Sequence, residues 1–133
     1  MDESVVVVAV GSGDRVIISG GENISLQAIE YCLAACEDIS KAVAVGIRDR
    51  RWGQRPIAWV IPADPSAQID ARDLGQHLRA ELPLPAIPDL VVCCHDFPRS
   101  AIGKPNGALM ASLSGKLRER LAQTIGDRPL LEG

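Results

Sequence analysis

Apolar residues in this chain come in short runs, and this limits the folds that it can adopt. The two longest runs are VVVVAV at Val5–Val10 and AVAVGI at Ala42–Ile47. Because a membrane-spanning helix needs about 20 apolar residues, we expect no span. The acidic residues Asp2 and Glu3 precede the first run, which is unlike a secretory signal. The 133 residues have the length of one ordinary domain, and we expect residues 1–133 to form it.

The short runs are rich in β-branched residues and therefore predict strands. They are Val5–Val10, Arg15–Ser19, Ala42–Ile47, Pro56–Ile61 and Leu90–Cys94. The first two are separated by GSGD, which predicts a hairpin with a glycine-rich turn. The third and fourth are joined by the polar loop RDRRWGQR, which predicts a second pair of strands.

Three segments have the apolar spacing of helices. The first follows the capping residue Ser25 and runs to about Glu37, and the second follows Asp70 and ends at Pro83. The third spans 108–121, and residues 111–133 as a whole are treated as a helical tail that frays after position 125. The third helix has one apolar stripe, formed by Leu109, Leu113, Leu117 and Leu121. The order β-β-α-β-β-α-β-loop-α predicts an α+β fold, a small domain in which helices flank a short sheet.

Composition and charge argue against a nucleic-acid-binding protein. Hydrophobic residues make up 47% of the chain and charged residues 23%, and the net charge is −3. Binding to phosphates needs clustered Lys and Arg, which the sequence lacks. The cysteines have no CxxC spacing, and we expect buried free thiols in a reducing cytoplasm; they are Cys32, Cys36, Cys93 and Cys94.

Two loops are candidates for a functional surface. In SGGEN, Ser19–Asn23, the glycine pair either forms a turn with positive φ or lets the backbone approach a ligand closely. In DRRWGQR, Asp49–Arg55, Trp52 is either a packing residue or part of an exposed surface. His77 and His95 have no partner at metal-ligand spacing and receive no role, and no metal site is expected in this chain.

A third candidate is Lys104, in the loop RSAIGKPNG at Arg99–Gly107. Glycine and proline on either side restrict the directions in which this lysine can point. It is either a solvated loop lysine or an ammonium oriented to stabilise negative charge on a carboxylate or phosphate. Spacing along the sequence does not choose between the two.

Taken together, four segments resemble the C-terminal domain of the adenylate-forming superfamily, which includes acyl- and aryl-CoA synthetases. In chain order they are GSGDRVIISGGENIS, AIEYCL, AVAVGIRDRRWGQRPIAWVI and FPRSAIGKPNGALM. The last segment is similar to the family's Pro-Arg-x-x-x-Gly-Lys signature. The resemblance covers Gly11–Met110. The short first β run and the unusual entry to the helix after the glycine pair resemble the compact o-succinylbenzoate–CoA ligases of menaquinone synthesis.

The resemblance implies a part of a larger enzyme. Members activate a carboxylate with ATP to an acyl-adenylate and then transfer the acyl group to the thiol of CoA or of a carrier protein. A large N-terminal domain, absent here, holds the carboxylate, the nucleotide and most of the contacts to Mg²⁺. The small domain rotates between the two steps. The implied cofactors are ATP, CoA and Mg²⁺, and the implied partner is that N-terminal domain.

The resemblance also implies roles for particular residues. Lys104 matches the adenylation lysine, and Asp14 matches the hinge about which the domain turns. Trp52 matches a mainly structural loop that has a CoA-facing edge. The positions that match the loop approaching the pantetheine arm of CoA are Gly20, Gly21 and Glu22. By itself such a fragment should be inactive.

Departures from the family pattern keep two other interpretations open. An arginine that helps to hold the nucleotide is replaced by Ser12, and the Ile-Asp-Arg that often follows the lysine is replaced by Pro105–Gly107. A free-standing, degenerate domain that binds a partner without catalysis is one alternative. The other is an unrelated α+β domain whose motifs match by accident.

Overall fold

The computed structural model describes residues 15–124 and 130–132 of the chain. Within this part the elements are β1 (Val16–Ser19), β2 (Glu22–Ser25), α1 (Leu26–Ala34), β3 (Ile39–Asp49), β4 (Gly53–Pro62), α2 (Ala71–Glu81), β5 (Val91–Cys93), α3 (Gly107–Thr124) and β6 (Leu130–Glu132). A 3₁₀ turn, Leu84–Ala86, lies in the proline-rich segment before β5. The predicted α+β fold is confirmed. None of the helices in the described part could cross a membrane.

The described strands form two sheets. β1 and β2 make a two-stranded hairpin, and the other sheet has the order β3-β4-β5-β6. β3 and β4 are antiparallel, as their predicted pairing requires, whereas β4, β5 and β6 run parallel. The sequence prediction missed β2, because a four-residue strand directly before a helix has no period of its own. The expected helical tail is wrong at Leu130–Glu132, which pairs with β5. The predicted strand Val5–Val10 lies outside the described residues.

The four-stranded sheet has a core on each face, because its strands alternate their side chains. On one face, Ala44 and Ala58 pack with α1, α2 and the β1–β2 hairpin. On the other face, Val45 and Trp59 pack with α3. The sheet is therefore the middle layer of three, and the hairpin and α3 belong to opposite layers.

The helix caps agree with the sequence better than the helix faces do. The Ser25 hydroxyl accepts a hydrogen bond from the Ala28 amide at 3.1 Å, as predicted, although α1 ends at Ala34 rather than near Glu37. The predicted leucine stripe of α3 is partly wrong, since Leu109 is 43% exposed. The buried positions of α3 are Met110, Ala111 and Ser114, while Leu113, Leu117 and Leu121 pack beside them.

Candidate functional site

The glycine pair of SGGEN forms the turn of the β1–β2 hairpin. Gly20 has φ 59° and Gly21 has φ 83°, so both adopt the left-handed conformation of a tight two-residue hairpin turn. The Gly20 amide donates to the Trp52 carbonyl at 2.8 Å. A Cβ at Gly20 would lie 2.9 Å from the Trp52 ring, whereas a Cβ at Gly21 would meet open space. Glycine is therefore needed at position 20 for both conformation and space.

The Trp-Gly turn lies against this hairpin. Asp49 accepts hydrogen bonds from the amides of Arg51 and Trp52 at 2.7 and 3.1 Å, and Gly53 closes the turn with φ 89°. The Gln54 side chain accepts from the Ile18 amide at 2.9 Å. Trp52 combines the two predicted roles, because it packs on Gly20 and is still 49% exposed. We call these two turns together the glycine corner.

A buried arginine stabilises the glycine corner from below. Arg55 is only 8% exposed, and its guanidinium donates to the Ser19 hydroxyl at 3.1 Å and to the Asp89 carboxylate at 2.8 and 2.9 Å. It also donates to the carbonyls of Pro85 and Ile87 at 2.7 and 2.8 Å. All five N–H donors of the guanidinium can thus be satisfied, which is what burial of an arginine requires. This network ties the hairpin to β4 and to the proline-rich segment.

The network extends to α3 on the other side of the sheet. Arg118 contacts Asp89 at 2.7 Å and Asp49 at 3.3 Å. Partial burial acts to raise the pKa of Asp49, but hydrogen bonds from the amides of Arg51 and Trp52 and the nearby Arg118 guanidinium outweigh it, so this pKa is lowered. Asp49 is therefore a carboxylate at neutral pH, and it holds the Trp-Gly turn and α3 together.

Lys104 lies in the connection between β5 and α3. Phe97 is buried at the start of this loop, and at its end the Asn106 side chain accepts from the Leu109 amide at 3.1 Å, which caps α3. Gly103 has φ 89°, and a short bridge pairs Arg99 with Pro105. The loop is thus folded back on itself, and it is anchored at both ends, by the buried Phe97 and by the Asn106 cap of α3.

The side chain of Lys104 is exposed and contacts no carboxylate among the described residues. Within residues 15–124 it has no ion-pair or hydrogen-bond partner. The carbonyl of Lys104, in contrast, accepts from the Ser100 amide at 2.7 Å. Nearby, the Ser100 hydroxyl oxygen is buried and has no hydrogen-bond partner among the described residues. An ordered backbone therefore presents a free positive charge.

The structure brings some of the predicted site residues together and leaves others apart. Gly20, Gly21 and Trp52 form one surface, and Glu22 is exposed beside it at the start of β2. Lys104 belongs to a different connection, on the α3 side of the sheet. Asp14 lies outside the described residues.

The residue that follows Asp14 is firmly attached to the domain. Arg15 forms an ion pair with Glu30 of α1, and its guanidinium also donates to the Ala44 carbonyl at 3.3 Å. The Ala44 amide donates to Glu30 at 2.8 Å. Together these two side chains satisfy the backbone N–H and carbonyl of Ala44 in β3, and they attach Arg15 to the domain.

Sequence reasoning missed two sets of polar contacts. The hydrogen bonds of Arg55 join residues 30 to 36 positions apart, and nothing local in the sequence marks an arginine after WGQ as buried. The contacts of Arg99 with Asp96 are local, three residues apart, and the spacing DFPR could have indicated them. His77 has an ordinary structural contact, with Nε2 2.8 Å from the Cys32 carbonyl oxygen.

These features define a class of protein: a small three-layer α+β domain with a glycine corner on one side and an exposed loop lysine on the other. A family model for the AMP-binding enzyme C-terminal domain matches residues 28–104. The chain belongs to this family, and its relatives are acyl-CoA ligases.

Individual relatives agree with this assignment. The chain is 38% identical over 103 residues to a 4-chlorobenzoate–CoA ligase of Pseudomonas sp. (strain CBS-3), covering 74% of this chain and 19% of the relative. It is 36% identical over 90 residues to a 2-succinylbenzoate–CoA ligase of Enterococcus faecalis, covering 68% and 18%. The chain thus spans about a fifth of the length of the curated relatives it matches.

A solved structure shares the fold. It is the o-succinylbenzoate CoA synthetase (MenE) of Bacillus subtilis in complex with the acyl-adenylate intermediate OSB-AMP. The TM-score is 0.65 at 28% identity, over 74% of this chain and 20% of that one. The matched part of each relative is one small domain of a much longer enzyme.

Proposed function

We propose that this chain is the C-terminal domain of an AMP-forming acid–CoA ligase and that Lys104 is its adenylation residue. The observation that carries the proposal is an exposed ammonium with no partner in the described part of the domain, on a backbone that hydrogen bonds hold in place. A solvated loop lysine would also be unpaired, and what distinguishes Lys104 is the match of its loop, FPRSAIGKPNG, to the family's Pro-Arg-x-x-x-Gly-Lys signature. A lysine that acts on a ligand bound elsewhere has to remain free for it.

The chemistry asked of Lys104 is electrostatic. As a carboxylate oxygen bonds to the α-phosphorus of ATP, the bond from that phosphorus to pyrophosphate breaks, and negative charge builds on the α-phosphate oxygens and on the leaving pyrophosphate. An ammonium brought to these oxygens stabilises the transition state more than the ground state, and this lowers the barrier. Its flexible stem reaches outward while the loop fixes its origin. Mg²⁺ would accompany the nucleotide and be bound mainly by the N-terminal domain.

The glycine corner is the proposed surface for CoA. The turn at Gly20 and Gly21 projects no side chain, so a narrow ligand such as the pantetheine arm can pass close to the backbone. Trp52 offers a half-exposed ring beside it, and Glu22 lies at the rim. Because the corner and Lys104 belong to different connections of the domain, rotation about a hinge at Asp14 would present them in turn to one active centre.

The proposed whole enzyme includes an N-terminal domain that holds the acid, ATP and Mg²⁺. The candidate acid is o-succinylbenzoate, which would place the enzyme in menaquinone synthesis in the cytoplasm. Support comes from the 2-succinylbenzoate–CoA ligase and the 4-chlorobenzoate–CoA ligase among the relatives, both of which act on substituted benzoates. An assay of the full-length ligase against these two acids and a fatty acid tests this choice.

A fusion enzyme tests the role of Lys104. This chain replaces the C-terminal domain of the Pseudomonas 4-chlorobenzoate–CoA ligase, and pyrophosphate release and thioester formation from supplied acyl-adenylate are measured separately. Lys104→Ala should slow pyrophosphate release by about 100-fold or more and leave thioester formation nearly unchanged. Lys116→Ala, at an exposed lysine of α3, is the matched control. Equal loss of both half-reactions by Lys104→Ala contradicts the assigned role.

One observation favours a second candidate function, a free-standing domain that binds a partner without catalysis. Ser12 replaces an arginine expected to contact the nucleotide. The mass of the native polypeptide distinguishes the two candidates. A polypeptide several times longer than 133 residues supports the ligase, and one of this length supports the binding domain.

A further inference from the structure

Both peptide groups that flank the Cα of Lys104 are held by hydrogen bonds. On the N-terminal side, the Gly103 carbonyl accepts from the Arg99 guanidinium at 2.8 Å. On the C-terminal side, the Lys104 carbonyl accepts from the Ser100 amide at 2.7 Å. Because two peptide planes determine the direction of a Cα–Cβ bond, these contacts fix where the lysine side chain starts and which way it leaves.

Arg99 in turn is held by Asp96. The Arg99 Nε lies 3.2 and 3.3 Å from the two carboxylate oxygens, and Nη2 lies 2.7 Å from Oδ1. The same Oδ1 accepts from the Phe97 amide at 2.9 Å, next to the buried Phe97 ring. The hydrogen bond with Arg99 lowers the pKa of Asp96, so this carboxylate stays ionised at neutral pH. The guanidinium therefore connects the anchored start of the loop to the peptide group before Lys104.

We propose that Arg99 is a positioning residue for adenylation: it sets the direction of Lys104 by holding the Gly103 carbonyl against Asp96. The inference rests on the function proposed for Lys104 and deepens it. Global stability does not explain the arrangement, because an ion pair between side chains that are 36% and 64% exposed contributes little to it. Orientation of the loop is the effect that remains.

The planar guanidinium is essential to this role. The Nε and Nη2 atoms of Arg99 donate to the Asp96 carboxylate, and Nη1 donates to the Gly103 carbonyl. These two acceptors lie in different directions. The ammonium of a lysine is a single point on a flexible stem and cannot hold both acceptors in this geometry. Charge alone should therefore not replace arginine here, and this separates positioning from a simple electrostatic contribution.

The test uses the fusion enzyme described above with Arg99→Gln and Arg99→Lys. Both should slow pyrophosphate release by about tenfold or more, since misplacement of a reacting group by about 1 Å can cost up to 100-fold. Thioester formation from supplied acyl-adenylate should stay within about twofold of the parent, as should both rates in the matched control Arg79→Gln, at an exposed arginine of α2. Adenylation restored to the parent rate by Arg99→Lys would overturn the positioning role.

A second measurement reads the loop directly in the 133-residue chain. Hydrogen exchange at the Ser100 amide, which donates to Lys104, should become about tenfold faster in Arg99→Gln, while amides of β4 keep their rates. Unchanged exchange at Ser100 overturns the proposal.

The variants also separate the two hypotheses. If Lys104→Ala abolishes adenylation and Arg99→Gln does not slow it, only the positioning role fails. If Lys104→Ala leaves adenylation intact, the function proposed for Lys104 fails, and the positioning role fails with it.

Discussion

The glycine corner and the loop of Lys104 are built in opposite ways. At the corner, two turns pack on each other and a buried arginine that donates five hydrogen bonds lies beneath them. In the loop, hydrogen bonds order the backbone while the functional side chain stands exposed in solvent. Substitutions at the corner should therefore change stability, and substitutions at Lys104 should change only chemistry.

The difference follows from what each surface is proposed to do. A passage for a flexible thiol arm needs a wall of fixed shape, and close packing of backbone and aromatic ring provides one. An ammonium that must reach a developing charge needs a fixed origin but a free end. The variants below test this comparison, from the largest expected loss of stability to the smallest.

The largest loss is expected from Arg55→Met. Methionine fills similar volume, but the Ser19 hydroxyl and the carbonyls of Pro85 and Ile87 lose the donor Arg55, and Asp89 keeps only Arg118. Loss of one partner of a buried ion pair costs about 3 kcal/mol or more, so the free energy of unfolding in urea should fall by about that amount.

The control for Arg55→Met is Arg48→Met, at an exposed arginine of β3 with no ion-pair partner in the described part of the chain. It should change the free energy of unfolding by less than about 0.5 kcal/mol. If the two variants are equally stable, the buried network does not support the glycine corner.

The second loss is expected from Gly20→Ala, with Gly21→Ala as its matched control. Both positions have positive φ, so each alanine should cost about 1 kcal/mol in backbone strain. Only at Gly20 does the new Cβ also meet the Trp52 ring, at 2.9 Å. Gly20→Ala should therefore lower the free energy of unfolding in urea by about 1 kcal/mol more than Gly21→Ala does. Equal destabilisation would show that the ring moves aside freely and that the corner is not rigid.

The sequence predicted those parts of the molecule whose signals are local. Strands β3 and β4, the caps at Ser25 and Asp70, and the family all came from short patterns of residues. Parts that depend on distant neighbours were missed. β6 forms by parallel pairing with β5, which lies far from it in the sequence. The buried face of α3 depends on contact with Trp59, whose indole N–H donates to the Ser114 hydroxyl at 2.8 Å.

The candidate site shows the same division. The motifs predicted that Gly20, Trp52 and Lys104 matter, but not that the first two touch. Contact between residues 32 positions apart depends on how the hairpin lies over β3 and β4, and no local pattern encodes that. The free state of the Lys104 ammonium was likewise beyond the sequence, because it depends on where every carboxylate of the fold lies.

A smaller, pH-dependent loss is expected from Asp49→Asn. Because the pKa of Asp49 is lowered on folding, its charge stabilises the fold above its unfolded pKa of about 3.9, and this contribution disappears as the pH falls through the lower folded value. The difference in urea stability between the parent and the variant should be below about 1 kcal/mol at pH 7 and should vanish towards pH 2. A difference that persists unchanged at pH 2 would assign the role of Asp49 to its shape and not to its charge.

The smallest loss is expected from Lys104→Ala. The side chain is exposed and has no partner within residues 15–124, so its removal takes away solvent contacts and almost nothing else. The free energy of unfolding of the isolated chain should change by less than about 0.5 kcal/mol. If the variant has an unchanged free energy of unfolding but releases pyrophosphate slowly in the fusion enzyme, then Lys104 acts on a group outside its own domain. A loss of 1 kcal/mol or more would mean that Lys104 has a structural partner, and the contrast with the glycine corner would fail.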